Sequence, residues 1–405
     1  MSDPAKKPRR DESYSPKAKP EIMKLAEGEH AQMREQDASQ AASPPGGGGA
    51  VPVIHRLITS MHGENYWFNG CAAYVMEALS EPDYDYWFFA GLTGDNFAQV
   101  YAHDHFRGEG VTDYRLSDGD HSFVIDIFNT CGYDAQFIPE TQLRADPQPW
   151  LQKLVESIDR GVPVIRYWCG WHVCVGYENG GQTLLCLTGD NEEPYRVTAE
   201  ELFEGGQEHR DVFHWFGWIF VGEKTEQRDL RQLYRDAVLS LPRLLTTKTD
   251  NYCFGAQAFR ALANMLESDA FDAGKPEGFD SWESYTMYTC NLATNSGGCQ
   301  GFLQKAMEFN PDLAFLAEVA RRYRLTNFLW NKGEWRKNML TRRERRAYVR
   351  RYGRDNLEDL KLGIHKFSEK AFFNGAKRAK AVAILRKMAD CMDEVVRLVE
   401  EGCVT

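Results

Sequence analysis

The stretch 160–188 constrains the fold most strongly, because three short strand-like runs follow one another there. The runs VPVIRYW, HVCVGY and TLLCL are rich in β-branched and aromatic residues, which favour strands. The segment ENGGQ between the last two runs contains the Asn-Gly and Gly-Gly pairs that form tight hairpin turns. We therefore expect neighbouring antiparallel strands in this part of the chain.

Helical patterns surround these strands. The stretch NGCAAYVMEAL predicts a helix that is capped by Asn69 and carries Cys71 in its first turn. Further elements are predicted for HSFVIDIFNT (helix), YDAQFI (strand), PWLQKLVESIDR (helix ending at Gly161), a small helix with a Thr198–Glu201 capping box, and FHWFGWIFVG (strand). Helices and strands mix without regular βαβ alternation, so residues 53–224 are expected to form an α+β domain.

The two ends of the chain have a different composition. Residues 1–52 have low hydrophobicity, one aromatic residue (Tyr14) and a Pro/Gly-rich end, which predicts a disordered arm. Residues 225–405 are expected to form a helical domain, because 227–265, 301–325 and 357–402 carry helical spacing of apolar residues.

Charge and cysteine content limit the classes of function. The 48 basic and 59 acidic residues give a net charge of -11, which argues against a general binder of nucleic acid or anionic membranes. No apolar run approaches the roughly 18 residues of a membrane-spanning helix, and the N-terminal residues lack the apolar core of a secretory signal. With no C-x-x-C among its 10 cysteines, the chain is expected to be cytoplasmic with reduced thiols.

Cofactor and metal motifs are weak. His103 and His105 have the spacing of two ligands on one strand face, but no Cys or acidic pair lies at a matching spacing. The run GGGGA near residue 46 lacks the Lys and the helix start of a phosphate-binding loop. We therefore predict neither a metal nor a cofactor.

Three residues form the most informative chemical pattern. Cys71 near a helix N-terminus would feel unpaired backbone N–H groups, which favour the reactive thiolate. His172 opens a strand and is expected to face Leu187 or Gly189 on the next strand of the hairpin. Asp190 follows that strand, within one to three residues of this neighbour. A carboxylate there could orient the imidazole towards a thiol. Asn191 could orient it instead.

This order resembles the papain-like cysteine peptidases, especially the bacteriocin-leader-processing type and the group of proteins similar to butirosin biosynthesis protein H. The resemblance rests on NGCAAYVMEAL, AGLTGDNF (90–97), RGVPVIRYW (160–168) and HVCVGYENGGQTLLCL, and more weakly on YCFGAQAFRALANML (252–266) and GFLQKAMEF (301–309). It implies a papain-like fold, a helix packed on an antiparallel sheet, and a C-terminal helical domain.

The resemblance also implies a function. Its members use a thiol to transfer an acyl group or to hydrolyse an amide, so Cys71 would be the nucleophile, His172 the base and then the acid, and Asp190 the orienting group. Papain-like peptidases place a Gln shortly before the Cys to hold the oxyanion. Here the corresponding stretch is ENYWFNG, in which Asn65 is the substitute.

Substrate and partner sites are indicated by composition alone. Trp168 and Trp171 flank His172 and could line a pocket for a small-molecule or peptide substrate, although hydrophobic core is the simpler interpretation. Residues 332–354 hold ten basic and two acidic residues. We interpret them as a solvated helix face, with an acidic acyl carrier protein or RNA as a docking alternative.

Two functions therefore remain open at this point. One is a cysteine acyltransferase or hydrolase that uses Cys71, His172 and Asp190. The alternative is a non-catalytic binding protein on the same fold, because a fold does not determine a function.

Overall fold

The computed structural model describes most of the chain between residues 47 and 403. Its described residues are 47–52, 54, 55, 57, 67–103, 110–167, 170–189, 191, 193–204, 217–268, 299–331 and 374–403. Most of the predicted arm, residues 1–46, lies outside them. The prediction that the arm is disordered as far as residue 52 is wrong at its end, because Gly49 and Ala50 pair with Tyr177 and Gly176 in a strand and Val51 is buried.

A seven-stranded antiparallel sheet lies at the centre of the described residues. Its strands are β1 (Gly49–Ala50), β3 (Tyr133–Pro139), β4 (Val164–Tyr167), β5 (Trp171–Glu178), β6 (Thr183–Leu187), β7 (Tyr195–Thr198) and β8 (Gly217–Lys224). The order across the sheet is β3-β8-β4-β5-β6-β7, and β1 pairs with β5 beyond the end of β4. The predicted α+β class is confirmed, as are strands in the stretches predicted around 133–138 and 162–187. Of the strand predicted over 213–222, the described residues 217–222 are confirmed, and 213–216 lie outside the described residues.

Helices pack around this sheet. They are α1 (Trp67–Ala78), α2 (Tyr86–Leu92), α3 (Val111–Ser117), α4 (Ser122–Thr130), α5 (Glu140–Ala145), α6 (Pro147–Asp159) and α7 (Ala199–Glu204). The predicted capping box before α7 is present, since the Thr198 amide donates to Glu201 Oε2 at 2.8 Å and the Glu201 amide donates to Thr198 Oγ1 at 3.1 Å.

The hairpin between β5 and β6 differs from the prediction by one residue. Near its turn, Glu178 pairs with Thr183, as expected for a turn centred on Gly180-Gly181. A bulge between Cys174 and Gly176 then shifts the register. Leu187 consequently pairs with Val173, so the expectation that His172 faces Leu187 or Gly189 is wrong.

Beyond residue 225 the described chain is mainly helical. The elements are α8 (Leu230–Leu239), α9 (Leu241–Leu245), α10 (Gly255–Glu267), α11 (residues 299–309), α12 (Leu316–Asn331) and α13 (Gly375–Gly402). One strand interrupts them: β9 (Tyr252–Phe254) pairs with β2 (Val100–Ala102) in a small second sheet.

Aromatic side chains join these helices to the earlier part of the chain. Phe97, which precedes β2, lies 5.7 Å from Phe302 of α11 and 5.6 Å from Tyr323 of α12, measured between ring centroids. The Tyr323 hydroxyl also donates to the Phe97 carbonyl at 2.8 Å. The buried apolar residues accordingly form one connected cluster that includes both parts of the described chain.

Candidate functional site

Cys71 is buried inside α1. The helix begins at Trp67, so Cys71 lies in its second turn, and Asn69 is a helical residue rather than the predicted N-cap. The Cys71 side chain is fully buried, and this burial raises the pKa of its thiol well above the ordinary value. The predicted first-turn thiolate is therefore wrong for this conformation: the structure holds Cys71 as a neutral thiol.

His172 is the second residue of β5, and its imidazole is held at one nitrogen. Its Nδ1 lies 2.6 Å from the hydroxyl of Tyr195 on β7. Burial, together with the positive charge of Arg166, lowers the pKa of His172 to about 4. The imidazole is therefore neutral at pH 7, and the hydrogen bond leaves Nε2 for another group.

The other nitrogen of His172, Nε2, lies near Gly170, and the ring of Trp67 borders the same glycine. A Cβ at Gly170 would lie 3.7 Å from His172 Nε2 and 3.8 Å from Cζ3 of Trp67, the first residue of α1. Phe68 of α1 and Trp171 of β5 pack at 4.8 Å. Helix and strand are thus neighbours, but among the described residues no hydrogen bond joins Cys71 Sγ to His172.

The orienting group seen in the structure is one that the sequence interpretation missed. Asp190 lies outside the described residues, and the side chain of Asn191 accepts a hydrogen bond from Thr188 Oγ1. Tyr195 partners His172 instead. The alternation in YRVT, with Tyr195 and Val197 more buried than Arg196, is the signal that could have identified this strand.

Strand register gathers five polar or thiol side chains on one face of the sheet. Arg166 pairs with His172, Cys174 pairs with Cys186, and Cys186 pairs with Tyr195. Paired residues, and residues two apart on a strand, share a face. We call Arg166, His172, Cys174, Cys186 and Tyr195 the sheet cluster.

The sheet cluster has a buried positive charge. Arg166 is only 5% exposed. Hydrogen bonds from Cys174 and from the Arg166 side chain lower the pKa of Cys186, whereas the bond to Cys186 and burial raise the pKa of Cys174. Cys71 is close enough for a negative charge on it to raise the pKa of Cys174 further. The predicted nucleophile thus lies beside the cluster.

The residues predicted to line a substrate pocket are only partly described. Trp168 lies outside the described residues, as does Asn65. Trp171 is buried, packs edge-to-face against Tyr167 with ring centroids 4.7 Å apart, and donates from Nε1 to Asp113 Oδ1 at 2.8 Å. It is therefore a core residue that ties β5 to α3, as the simpler interpretation has it.

A buried carboxylate ties α1 to its neighbours. Asp95 accepts hydrogen bonds from Asn69 Nδ2 at 2.9 Å, from Thr93 Oγ1 at 3.0 Å and from the Thr112 amide at 3.3 Å. Burial raises the pKa of Asp95, and these hydrogen bonds oppose the rise. The adjacent Asn96 is fully buried, and within the described part of the chain its side-chain amide has no hydrogen-bond partner.

A cavity of about 590 Å³ lies away from the sheet cluster, between the end of α2, α4, α8 and α9. No residue of the cluster lines it. Its charged lining residues are Arg115, Asp120, Asp126, Asp236 and Arg243. The sequence interpretation did not anticipate this cavity.

The remaining predicted sites lie largely outside the described residues. Residues 332–354 are not among them, and of the His103–His105 pair only His103 is. In the part of the chain that is described, no group of three His, Cys, Asp or Glu side chains could hold a metal ion. No helix there has both the length and the apolar composition needed to cross a membrane.

No protein-family model matches this chain, and no curated protein matches its sequence.

Proposed function

We propose that the protein is a thiol enzyme that transfers acyl groups or hydrolyses amides, with Cys71 as nucleophile and His172 as base. One observation carries the proposal: Tyr195 holds Nδ1 of His172 at 2.6 Å, which leaves Nε2 for another group, and the strand that bears His172 packs against the helix that bears Cys71. A nucleophile whose base is itself oriented by a third group is the arrangement that such chemistry needs.

The proposed proton transfers follow from the neutral state of both groups. As Sγ of Cys71 attacks the substrate carbonyl, its proton passes to Nε2 of His172. The imidazolium then protonates the leaving group, and an acyl thioester remains on Cys71. An amine or water, deprotonated by the same nitrogen, attacks this thioester and releases the product together with the free thiol.

The resulting imidazolium needs a partner that can stabilise its charge. Burial raises the pKa of Tyr195, so its hydroxyl stays neutral and orients the ring without compensating the charge. Asp190 therefore remains in the proposal as the stabilising carboxylate, with Asn191 as the alternative. Asn65 remains the proposed oxyanion donor, together with the backbone N–H of Cys71.

Substrate access requires a change from the described conformation. Cys71 is fully buried, and its thiol does not contact His172 through a hydrogen bond. We infer that binding of the substrate moves the groups that cover Sγ and brings the thiol within reach of Nε2. The described conformation is then the resting state, in which burial keeps the Cys71 thiol protonated and unreactive.

The resemblance supplies the remainder of the proposal. Residues 53–224 would form a papain-like domain, and the residues from 225 onward a helical domain. The substrate would be a small molecule or peptide with an amide or acyl group. An acidic acyl carrier protein that docks on 332–354 would be an acyl donor whose charge complements that segment.

A non-catalytic binding protein is the second candidate. It is favoured by the neutral, buried Cys71 and by the absence of a hydrogen bond between this thiol and His172 among the described residues. Such a protein would keep the arrangement of helix and sheet but would form no covalent intermediate.

Steady-state turnover separates the two candidates. The full-length chain is mixed with an acyl thioester of N-acetylcysteamine and a primary amine, and formation of amide and free acid is followed by chromatography. The enzyme proposal predicts turnover that falls at least about 100-fold in Cys71→Ala and in His172→Gln, whereas Cys131→Ser, a buried thiol away from the cluster, retains it. Equal rates in wild type and Cys71→Ala would refute the proposal.

A further inference from the structure

Two cysteines of the sheet cluster lie in direct contact. Cys174 and Cys186 are paired across β5 and β6, their sulfur atoms are 3.3 Å apart, and both side chains are fully buried. Directly opposed residues of antiparallel strands have Cα atoms about 4.5–5.5 Å apart. A disulfide accepts Cα separations of about 4.4–6.8 Å. The two thiols can therefore be joined without a rearrangement of the backbone.

Arg166 makes the two thiols chemically different. The charge of its buried side chain lowers the pKa of both thiols, and for Cys186 a hydrogen bond from Arg166 adds to this effect. Either sulfur can donate across the 3.3 Å contact, and the deprotonated cysteine accepts the S–H of the other. The interaction with Arg166 favours Cys186 as the anion and Cys174 as the thiol. A thiolate beside a thiol is the state from which oxidation begins.

Three other thiols serve as references for this pair. Cys131 and Cys253 are buried, and Cys403 is exposed near the end of α13. The Arg166 guanidinium beside Cys174 and Cys186 disfavours binding of a cation at the pair.

We propose that Cys174 and Cys186 are a redox modification site, at which a hydroperoxide oxidises the pair to a reversible disulfide. Because both side chains are fully buried, the peroxide reaches them when the sheet cluster opens transiently. The Cys186 thiolate then attacks the terminal peroxide oxygen and becomes a sulfenic acid, and hydroxide leaves when hydrogen peroxide is the oxidant. The Cys174 sulfur then attacks the Cys186 sulfur, the S–O bond breaks, and water leaves with the Cys174 proton. The hydroxide takes up the proton that Cys186 had released, so two thiols and one peroxide give one disulfide and two waters.

A disulfide between Cys174 and Cys186 would change the surroundings of the proposed catalytic residue His172 and of its partner Tyr195. Cys174 lies two residues from His172, and Cys186 is the strand partner of Tyr195. Oxidation removes the negative charge of Cys186, so the charge of Arg166 acts more strongly on His172. This coupling depends on the proposed function, but formation of the disulfide does not.

Peptide mapping of the oxidised protein tests the proposal. The reduced full-length chain is treated with hydrogen peroxide, remaining thiols are blocked with N-ethylmaleimide in denaturant, and the protein is cleaved after Arg166, Glu178 and Arg196. Cleavage after Glu178 separates the two cysteines, and fragmentation distinguishes Cys174 from Cys169. We expect a linked pair of peptides joining Cys174 to Cys186, which dithiothreitol separates.

Variants establish the order of the two steps. In Cys174→Ser, we expect a sulfenic acid on Cys186 that dimedone traps. Arg166→Gln should slow disulfide formation at least several-fold, whereas Cys131→Ser should form it at the wild-type rate. The exposed Cys403 reports that the oxidant was active. If Cys403 is oxidised while Cys174 and Cys186 both carry maleimide, or if either is linked to a different cysteine, the proposal is wrong.

Discussion

Three influences act on the imidazole of His172. Burial and the positive charge of Arg166 lower its pKa to about 4. The hydroxyl of Tyr195 fixes the orientation of the ring at Nδ1. For His172 to act as a base, Nδ1–H must donate to the Tyr195 oxygen, because only then is Nε2 an acceptor. The opposite arrangement, with the tyrosine donating, leaves Nε2 protonated and unable to accept the Cys71 proton.

Removing the tyrosine hydroxyl tests this contact. Tyr195→Phe leaves Nδ1 of a half-buried histidine without its partner, so we expect the free energy of unfolding to fall by about 1 kcal/mol. Urea denaturation at pH 7 measures the difference. Tyr101→Phe is the matched control, because the Tyr101 hydroxyl has no hydrogen bond within the described residues and its removal should cost less. Equal losses would show that Tyr195 does not hold the imidazole.

The lowered pKa of His172 predicts a dependence of stability on pH. Well above pH 6.5 the histidine is neutral in both the folded and the unfolded chain, so it does not change the free energy of unfolding. As the pH falls from 6.5 to about 4, the unfolded chain binds the proton first, and the folded state loses stability. The loss attributable to His172 reaches about 3 kcal/mol near pH 4.

His172→Gln isolates this contribution, because Gln does not titrate. Urea denaturation of both proteins at several pH values between 7 and 4 should show the wild type losing stability more steeply, by at most about 1.4 kcal/mol per pH unit. If the free energies of unfolding of the two proteins fall in parallel with pH, His172 has the same pKa in the folded and in the unfolded chain.

Residue patterns identified part of the candidate site. Cys71 and His172 were recognisable because a thiol on a predicted helix and a histidine opening a predicted strand are local features. The partnership of His172 with Tyr195 was not recognisable, because it depends on the pairing of three strands around a bulge. The burial of Cys71 depends on contacts distant in sequence, and it reverses the local influence of the helix on the thiol.

At the level of elements, α1 is held against β5 through α3. Asp95 accepts hydrogen bonds from Asn69 of α1 and Thr112 of α3, and Asp113 of α3 accepts from Trp171 of β5. This chain of polar contacts sets the position of the helix that carries Cys71 relative to the strand that carries His172. Asp95 is therefore a positioning residue of the proposed site.

Asp95→Ala should destabilise the protein by about 1–3 kcal/mol, because buried donors on Asn69, Thr93 and Thr112 lose their acceptor. Asp126→Ala, which removes an exposed carboxylate from α4, should change the free energy of unfolding by no more than about 0.5 kcal/mol. Thermal denaturation of the two variants compares them directly. A similar effect of both would contradict the role of Asp95 in holding α1.

The elements themselves were predictable where periodicity is local. The strands at 162–187, the helices at 122–130 and 147–159 and the capping box at Thr198 all follow from nearby residues. The strand β9 was missed, because its three residues are stabilised by pairing with β2, which lies about 150 residues earlier.

At the level of the whole molecule, the buried apolar residues of the described chain form one cluster. Phe302 of α11 contacts Phe97 at 5.7 Å and Tyr234 of α8 at 4.6 Å, and so connects the two predicted domains. Phe302→Ala should lower the free energy of unfolding by about 3–5 kcal/mol. Phe309→Ala, at a residue that is 41% exposed, should cost much less.

The shared core also predicts cooperative unfolding. Helix content from circular dichroism and tryptophan fluorescence should change in one transition at the same urea concentration. In Phe302→Ala that transition should shift to lower urea for both probes together. Separate transitions would show that the sheet and the C-terminal helices unfold independently.

The central claim is that Cys71 becomes acylated, and detection of the adduct tests it most directly. The full-length protein is incubated with an acyl thioester of N-acetylcysteamine without acceptor amine, quenched in acid, and mapped by peptide mass spectrometry. We expect one acyl group on Cys71 of the wild type. It should be absent in Cys71→Ala and should form more slowly in His172→Gln. Acyl groups spread over several cysteines, or a Cys71 peptide that stays unmodified while the others react, would contradict the claim and leave the binding protein as the better account.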